Sequence, residues 1–207
     1  MQKEIEHKMA QEKVMLFNGA NFDGWKVMRT GGIPAWKAED GIMTVEPRTG
    51  CIVSEYEFGD AHVHVEFLTP RIPGRTGQER SNSGVFIHGC YEVQVLESYG
   101  VEEMRDNECG GIYSQYTPLC NACNPPEEWQ AYDIIVRAPR FNEYDEVAEN
   151  GRMTVIMNGV VIHNNIELPR ACPGGSTGNK RVRKGPLMLQ DHCDRVSFRN
   201  IWVMPLE

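Results

Sequence analysis

The sequence predicts an all-β, antiparallel sandwich or barrel. Three observations carry this. Roughly a dozen short runs alternate apolar and polar residues with period two. Gly-containing turn signals bound most of them, and apolar spacing of the helical kind is nearly absent. A chain of 207 residues, 41% hydrophobic and 24% charged, can bury a core of its own without disulfide staples.

Residues 1–13 are charged throughout and read as an N-terminal extension, helical or frayed, ahead of one β domain over 14–207. They lack the apolar centre of a secretory signal, so a complete chain would be cytoplasmic and a processed one periplasmic or exported. Asn18-Gly19 and Asp23-Gly24 are turns, and Trp25 opens an alternating run. Trp36, Asp40-Gly41 and residues 42–45 read as strand, turn, strand, and 51–53 as a further short strand. In 61–68, Val63, Val65 and Phe67 form one face while His62, His64, Glu66 and Leu68 form the other.

Residues 82–100 read as two strands broken at His88-Gly89. In the second, Tyr91, Val93 and Val95 share the core face, and Glu92 and Gln94 share the opposite one, the floor of a polar groove. A short strand is expected around 111–113, a buried strand over 129–138 and an acidic connection over 141–150. Residues 152–157 and 160–163 flank Asn158-Gly159, which supplies the positive φ of a type I′ hairpin. Strands at 185–190 and 195–203 close the chain. The segments 69–81, 98–110, 114–128 and 165–185 are long enough to wall a binding site.

Net charge is 21 − 29 = −8, with no basic stripe for nucleic acid. The cationic run 180–184 adjoins a Gly-rich stretch and reads as a solvated loop. No apolar run approaches the ~20 residues of a membrane helix. Seven scattered cysteines include a lone Cys120-x-x-Cys123, open to reduced thiols, a local disulfide, or metal or redox chemistry. Serine-hydrolase elbows and nucleotide-binding glycine motifs are absent.

Four groups of residues could carry chemistry. Glu92-x-Gln94-x-x-Glu97 offers the two carboxylates of a glycosidase, provided a bulge brings Glu97 to the face of Glu92; otherwise it is a solvent-facing strand. His62, His64 and Glu66 share a face and could bind a divalent metal, contact a sugar, or simply be the polar side of a strand. His192, after Gln190-Asp191, sits at a strand end where an imidazole could serve as acid or base, or be structural. Tyr99, Tyr113 and Trp129 could stack on sugar rings or fill the core.

The chain resembles the 3-keto-disaccharide hydrolase family. The resemblance rests on LFNGANFDGW (16–25), HVEFLTP (64–70), NSGVFIHGCYEVQVLESYG (82–100), CGGIY (109–113), PPEEWQAYDIIVRAPRF (125–141), VIMNGVVIHNN (155–165) and GPLMLQDHCDRVSFRNIWV (185–203). It implies a concanavalin A-like jelly roll and an enzyme that cleaves glycosides already oxidised at C3. The ketone acidifies C2, a carboxylate removes that proton, the aglycone leaves from C1 and water adds. On this reading Glu92 or Glu66 is the base, and His192 or Tyr113 serves the leaving group or the enolate. Asn82, Gln94, His64, Glu97, Gln190 and Trp129 bind sugar. A divalent metal at His62, His64 and Glu66 is the one cofactor considered. The implied partner is a small carbohydrate, with no nucleic acid or membrane, and the oligomeric state stays open. The alternatives are a retaining β-glycanase of the same fold, using Glu92 and Glu97, and a non-catalytic carbohydrate-binding module.

Overall fold

The structure, a computed structural model, describes residues 12–206. Residues 1–11, most of the expected N-terminal extension, lie outside them. The strands in chain order are β1 (Val14–Met15), β2 (Trp25–Val27), β3 (Lys37–Glu39), β4 (Ile42–Thr44), β5 (Ile52–Phe58), β6 (Ala61–Leu68), β7 (Ser83–Ile87) and β8 (Tyr91–Val95). They continue with β9 (Gln130–Arg137), β10 (Arg140–Phe141), β11 (Val147–Glu149), β12 (Gly151–Met157), β13 (Val160–Leu168), β14 (Gly185–Leu189) and β15 (Ser197–Pro205).

Two antiparallel sheets form a concanavalin A-like jelly-roll sandwich. One runs β13-β12-β9-β6-β15-β4-β3, with β1 also paired to β15. The other runs β2-β5-β14-β7-β8. Alternation explains the packing: Val63, Val65 and Phe67 of β6 are buried, as are Tyr132, Ile134 and Val136 of β9. They join Val85, Ile87, Tyr91, Val93 and Val95 of the second sheet in one core. Each fully buried aliphatic side chain of this kind stabilises the fold by about 1.5–3 kcal/mol. The Tyr132 hydroxyl crosses the sandwich and donates to the Gln94 carbonyl at 2.7 Å, satisfying the one polar atom that side chain buries.

The hairpin at Asn158-Gly159 forms as its residue types dictate, with φ of 51° and 81°. Three expectations are corrected. The strand expected at 51–53 continues to Phe58, because β5 is paired on both sides, Trp25 opposite Ser54 and Gly185 opposite Phe58. The strand expected to end at 163 reaches Leu168 through a bulge, with Asn165 at φ 49° and pairing resumed at Ile166. The acidic connection at 141–150 holds the small ribbon β10–β11. It also receives the cationic run: Arg183 pairs with Asp145 and lies over the Phe141 ring, and Arg181 donates to Asn150. All seven cysteines are free thiols.

Candidate active site

Glu92 and Gln94 occupy the face of β8 turned away from Tyr91, Val93 and Val95. Across the ladder stand Gly84, opposite Gln94, and Phe86, opposite Glu92. The other edge of β8 is taken by the segment after Cys109: the Gln94 amide donates to Gly111 O, and the Tyr113 amide donates to Glu92 O. That bond sets Tyr113 beside Glu92. On the far side β14 runs next to β7, and the Gln190 amide donates to Gly84 O. Backbone hydrogen bonds to β8 and β7 thus bring Glu92, Gln94, Tyr113 and Gln190 together.

These side chains line a cavity of about 180 Å³ with Gln78, Asn82, Pro173, Gly174 and His192. A polar lattice holds its floor. Gln94 Nε2 donates to Gln78 Oε1 at 3.0 Å, Asn82 Nδ2 donates to Gln78 O at 2.9 Å, and Gln78 Nε2 donates to Asn107 O at 2.8 Å. Asp194, buried, accepts from the Asn82 amide at 2.8 Å and from Arg75 at 2.6 Å, tying the turn that carries His192 to the start of β7. The side-chain oxygens of Gln94 and Gln190 are buried and accept no hydrogen bond. Two acceptors without partners, on residues that line a polar cavity, suit hydroxyl donors such as those of a sugar.

Glu92 is 3% exposed, and its carboxyl has no hydrogen-bond or ion-pair partner among the described residues. Burial therefore pushes its pKa up to about 8. Gly84 makes the room: a β-carbon there would lie 2.3 Å from Glu92 Oε1. Gly84 lies in the Asn82-Ser83-Gly84 run, where a strand glycine signals close approach, yet composition alone gives it no role.

Of the candidates named from the sequence, Glu92, Tyr113, His192, Asn82, Gln94 and Gln190 share this cavity. Glu66, His64, Trp129 and Glu97 do not line it. The expectation that Glu66 and His64 would meet Glu92 is corrected by the alternation of β6, which turns both outward from the opposite sheet. There His62 Nε2 and His64 Nδ1 each lie 2.9 Å from the same oxygen of Asp133. Glu66 accepts from Arg199 at 2.6 Å and Asn200 at 2.8 Å. Burial pushes the Glu66 carboxyl up, but those bonds and the Arg199 charge outweigh it, and its pKa is lowered. Arg199 also covers the Trp129 ring, 3.9 Å from its centroid. With these donors engaged, His62, His64 and Glu66 do not converge on a metal position; among the described residues no three His, Cys, Asp or Glu side chains do. Glu97 lies past the end of β8, where Oε1 accepts from the Tyr99 amide. Sequence reading missed Gln78, which lies in the Pro/Gly/Arg-rich loop before β7 and reveals its place only through its bonds to Asn82 and Gln94.

A jelly-roll sandwich with a buried carboxyl and sugar-ready amides in one groove defines a carbohydrate-active enzyme of the hydrolase or lyase type. The chain belongs to the 3-keto-alpha-glucoside-1,2-lyase-like domain family, whose model matches residues 12–204. It is 37% identical to a candidate glycosyl hydrolase from Parabacteroides distasonis ATCC 8503, with a TM-score of 0.83 over 94% of this chain and 84% of that one. Two further candidate glycosyl hydrolases from that organism are 20% and 18% identical, with TM-scores of 0.71 and 0.65. They cover 94% of this chain and 94% and 100% of their own, and show the fold alone. No curated protein matches the chain. Among the described residues no helix is long and apolar enough to cross a membrane.

Proposed function

We propose that the enzyme cleaves 3-keto-glycosides by elimination and rehydration, with Glu92 as the base. The observation that carries this reading is the unpaired, buried carboxyl of Glu92, the one carboxylate lining the cavity. A base with a pKa near the working pH combines a usable ionised fraction with high proton affinity. Glu92 takes the C2 proton, electrons pass to the C3 oxygen as an enolate, and the C1–O bond to the aglycone breaks. Water then adds across C1 and C2 and returns a proton to C2. On this reading Tyr113, which lines the cavity next to Glu92, donates to the enolate oxygen. His192, exposed and lining the cavity, protonates the leaving oxygen on the same reading. Gln94, Gln190, Gln78 and Asn82 hold the ring hydroxyls.

The retaining β-glycanase alternative needs a second carboxylate within about 5–5.5 Å of the first. Glu97 is outside the cavity, and no other carboxylate lines it. The test is incubation of the pure protein with a 3-keto-disaccharide in D2O, followed by NMR. Release of 3-keto-glucose carrying deuterium at C2 is expected. Cleavage that leaves the original hydrogen on C2 would overturn the elimination pathway, and binding of sugar with no cleavage would make the protein a carbohydrate-binding module.

A further inference from the structure

A larger cavity, about 410 Å³, adjoins the Glu92 cavity and shares Gly174 with it. Its wall includes Arg29, after β2, and Arg48 and Thr49, before β5. Residues 190–193 run along the border between the two cavities. Gln190 and His192 line the Glu92 side, while Asp191 and Cys193 line the larger room. His192 lines the Glu92 cavity and, with Cys193, a third cavity of about 350 Å³, while Cys193 also lines the larger room, so this turn borders both the sugar room and the larger one.

The charge of the larger room is distinctive. Most arginines of the chain are engaged, for example Arg75 with Asp194, Arg80 with Glu108, Arg195 with Glu46 and Arg199 with Glu66. Arg29 and Arg48 are exposed and have no hydrogen-bond or ion-pair partner among the described residues. The one carboxylate of that wall, Asp191, is committed to backbone: it accepts from the Gly50 amide and the Cys193 amide, each at 2.9 Å. Two guanidiniums without partners among the described residues thus share this concavity with one carboxylate, and a guanidinium fork matches a carboxylate or sulfonate.

We infer that this room is the leaving-group subsite and that it selects aglycones carrying an anionic group. The inference rests on the reading of the Glu92 cavity as the sugar site. It is tested by calorimetric titration of the full chain with unoxidised para-carboxyphenyl, para-sulfophenyl and neutral para-carbamoylphenyl glucosides, so that binding is read without turnover. At least one anionic glucoside should bind roughly tenfold or more tighter than the neutral one, and the preference should shrink as salt is raised. The two anionic arms identify which anion is favoured. Arg29→Gln combined with Arg48→Gln should bring the ratio to about one, and Arg29→Lys with Arg48→Lys should retain part of it. Equal or undetectable binding of the anionic and neutral glucosides, or an unchanged preference in the double Gln variant, would overturn the subsite. A preference that behaves as expected in a protein inert toward every 3-keto-glycoside would leave the subsite standing and remove the elimination reading. Turnover of 3-keto-glycosides without any anionic preference would do the reverse.

Discussion

Gly84 and Glu92 are fitted to each other: a β-carbon on Gly84 would stand 2.3 Å from Oε1 and 3.1 Å from Cδ of the Glu92 side chain. The carboxyl thus packs against the bare backbone of Gly84 on the neighbouring strand, with no hydrogen bond among the described residues. Gly84→Ala should displace it by about an ångström and lower kcat/KM roughly a hundredfold, while costing only about 1–3 kcal/mol of stability. Steady-state kinetics on a 3-keto-disaccharide and a denaturant melt check both. Unchanged kcat/KM would remove Glu92 from the reacting centre.

Glu92→Gln keeps the shape and removes the base. The expected loss is on the order of a thousandfold in kcat/KM. Deuterium uptake at C2 of the substrate should be lost with it, as NMR would report.

The same carboxyl links activity and stability to pH in opposite directions. Its folded pKa of about 8 lies above the ordinary value of 4.5. Between those values the folded chain holds a proton that the unfolded chain has released, so stability falls as pH rises through the window. The contribution is complete below about pH 4.5, is lost by about pH 8, and amounts to a few kcal/mol. Over the upper part of that window kcat/KM should climb, because the base must be ionised. Thermal melts and pH–rate profiles should cross in this way, and Glu92→Gln should flatten the melting profile.

Asp194 accepts from the Asn82 amide and from Arg75 while only 4% exposed. Asp194→Ala leaves a buried amide without a partner and should cost about 1–3 kcal/mol. KM should rise as well, since Asn82 and the His192 turn lose their common anchor. A melt indistinguishable from the parent would show that the anchor is dispensable.

Glu66 accepts from Arg199 and Asn200 on the outer face of the other sheet. Glu66→Gln should keep kcat/KM within about twofold, against the on-the-order-of-a-thousandfold loss at Glu92. A large loss at Glu66 would mean that the outer face takes part in the reaction.

The period-two patterns carried the sandwich into view, because burial on one face writes itself into alternate residues, as in Val63, Val65 and Phe67. The same rule separated Glu92 and Gln94 from Glu97. It could not separate Glu92 from Glu66: both sit on the polar side of a strand, and only the pairing order of the strands says which polar side a loop covers. Nor could it foresee that Arg199 and Asn200 satisfy Glu66 while Glu92 goes unsatisfied. Those partners lie more than a hundred residues away in sequence and meet Glu66 only through the pairing of β15 with β6. Gln78 was hidden for a simpler reason, since loop residues follow no period.

Residues 190–193 divide between two rooms, Gln190 and His192 toward Glu92 and Asp191 and Cys193 toward Arg29 and Arg48. Loops ordinarily absorb a single inserted or deleted residue at little cost. Here a residue inserted or removed just after Leu189 should move His192 out of register with Glu92 and shift Asp191 off the Gly50 amide that it accepts from. The length of this turn is therefore tied to the site it borders.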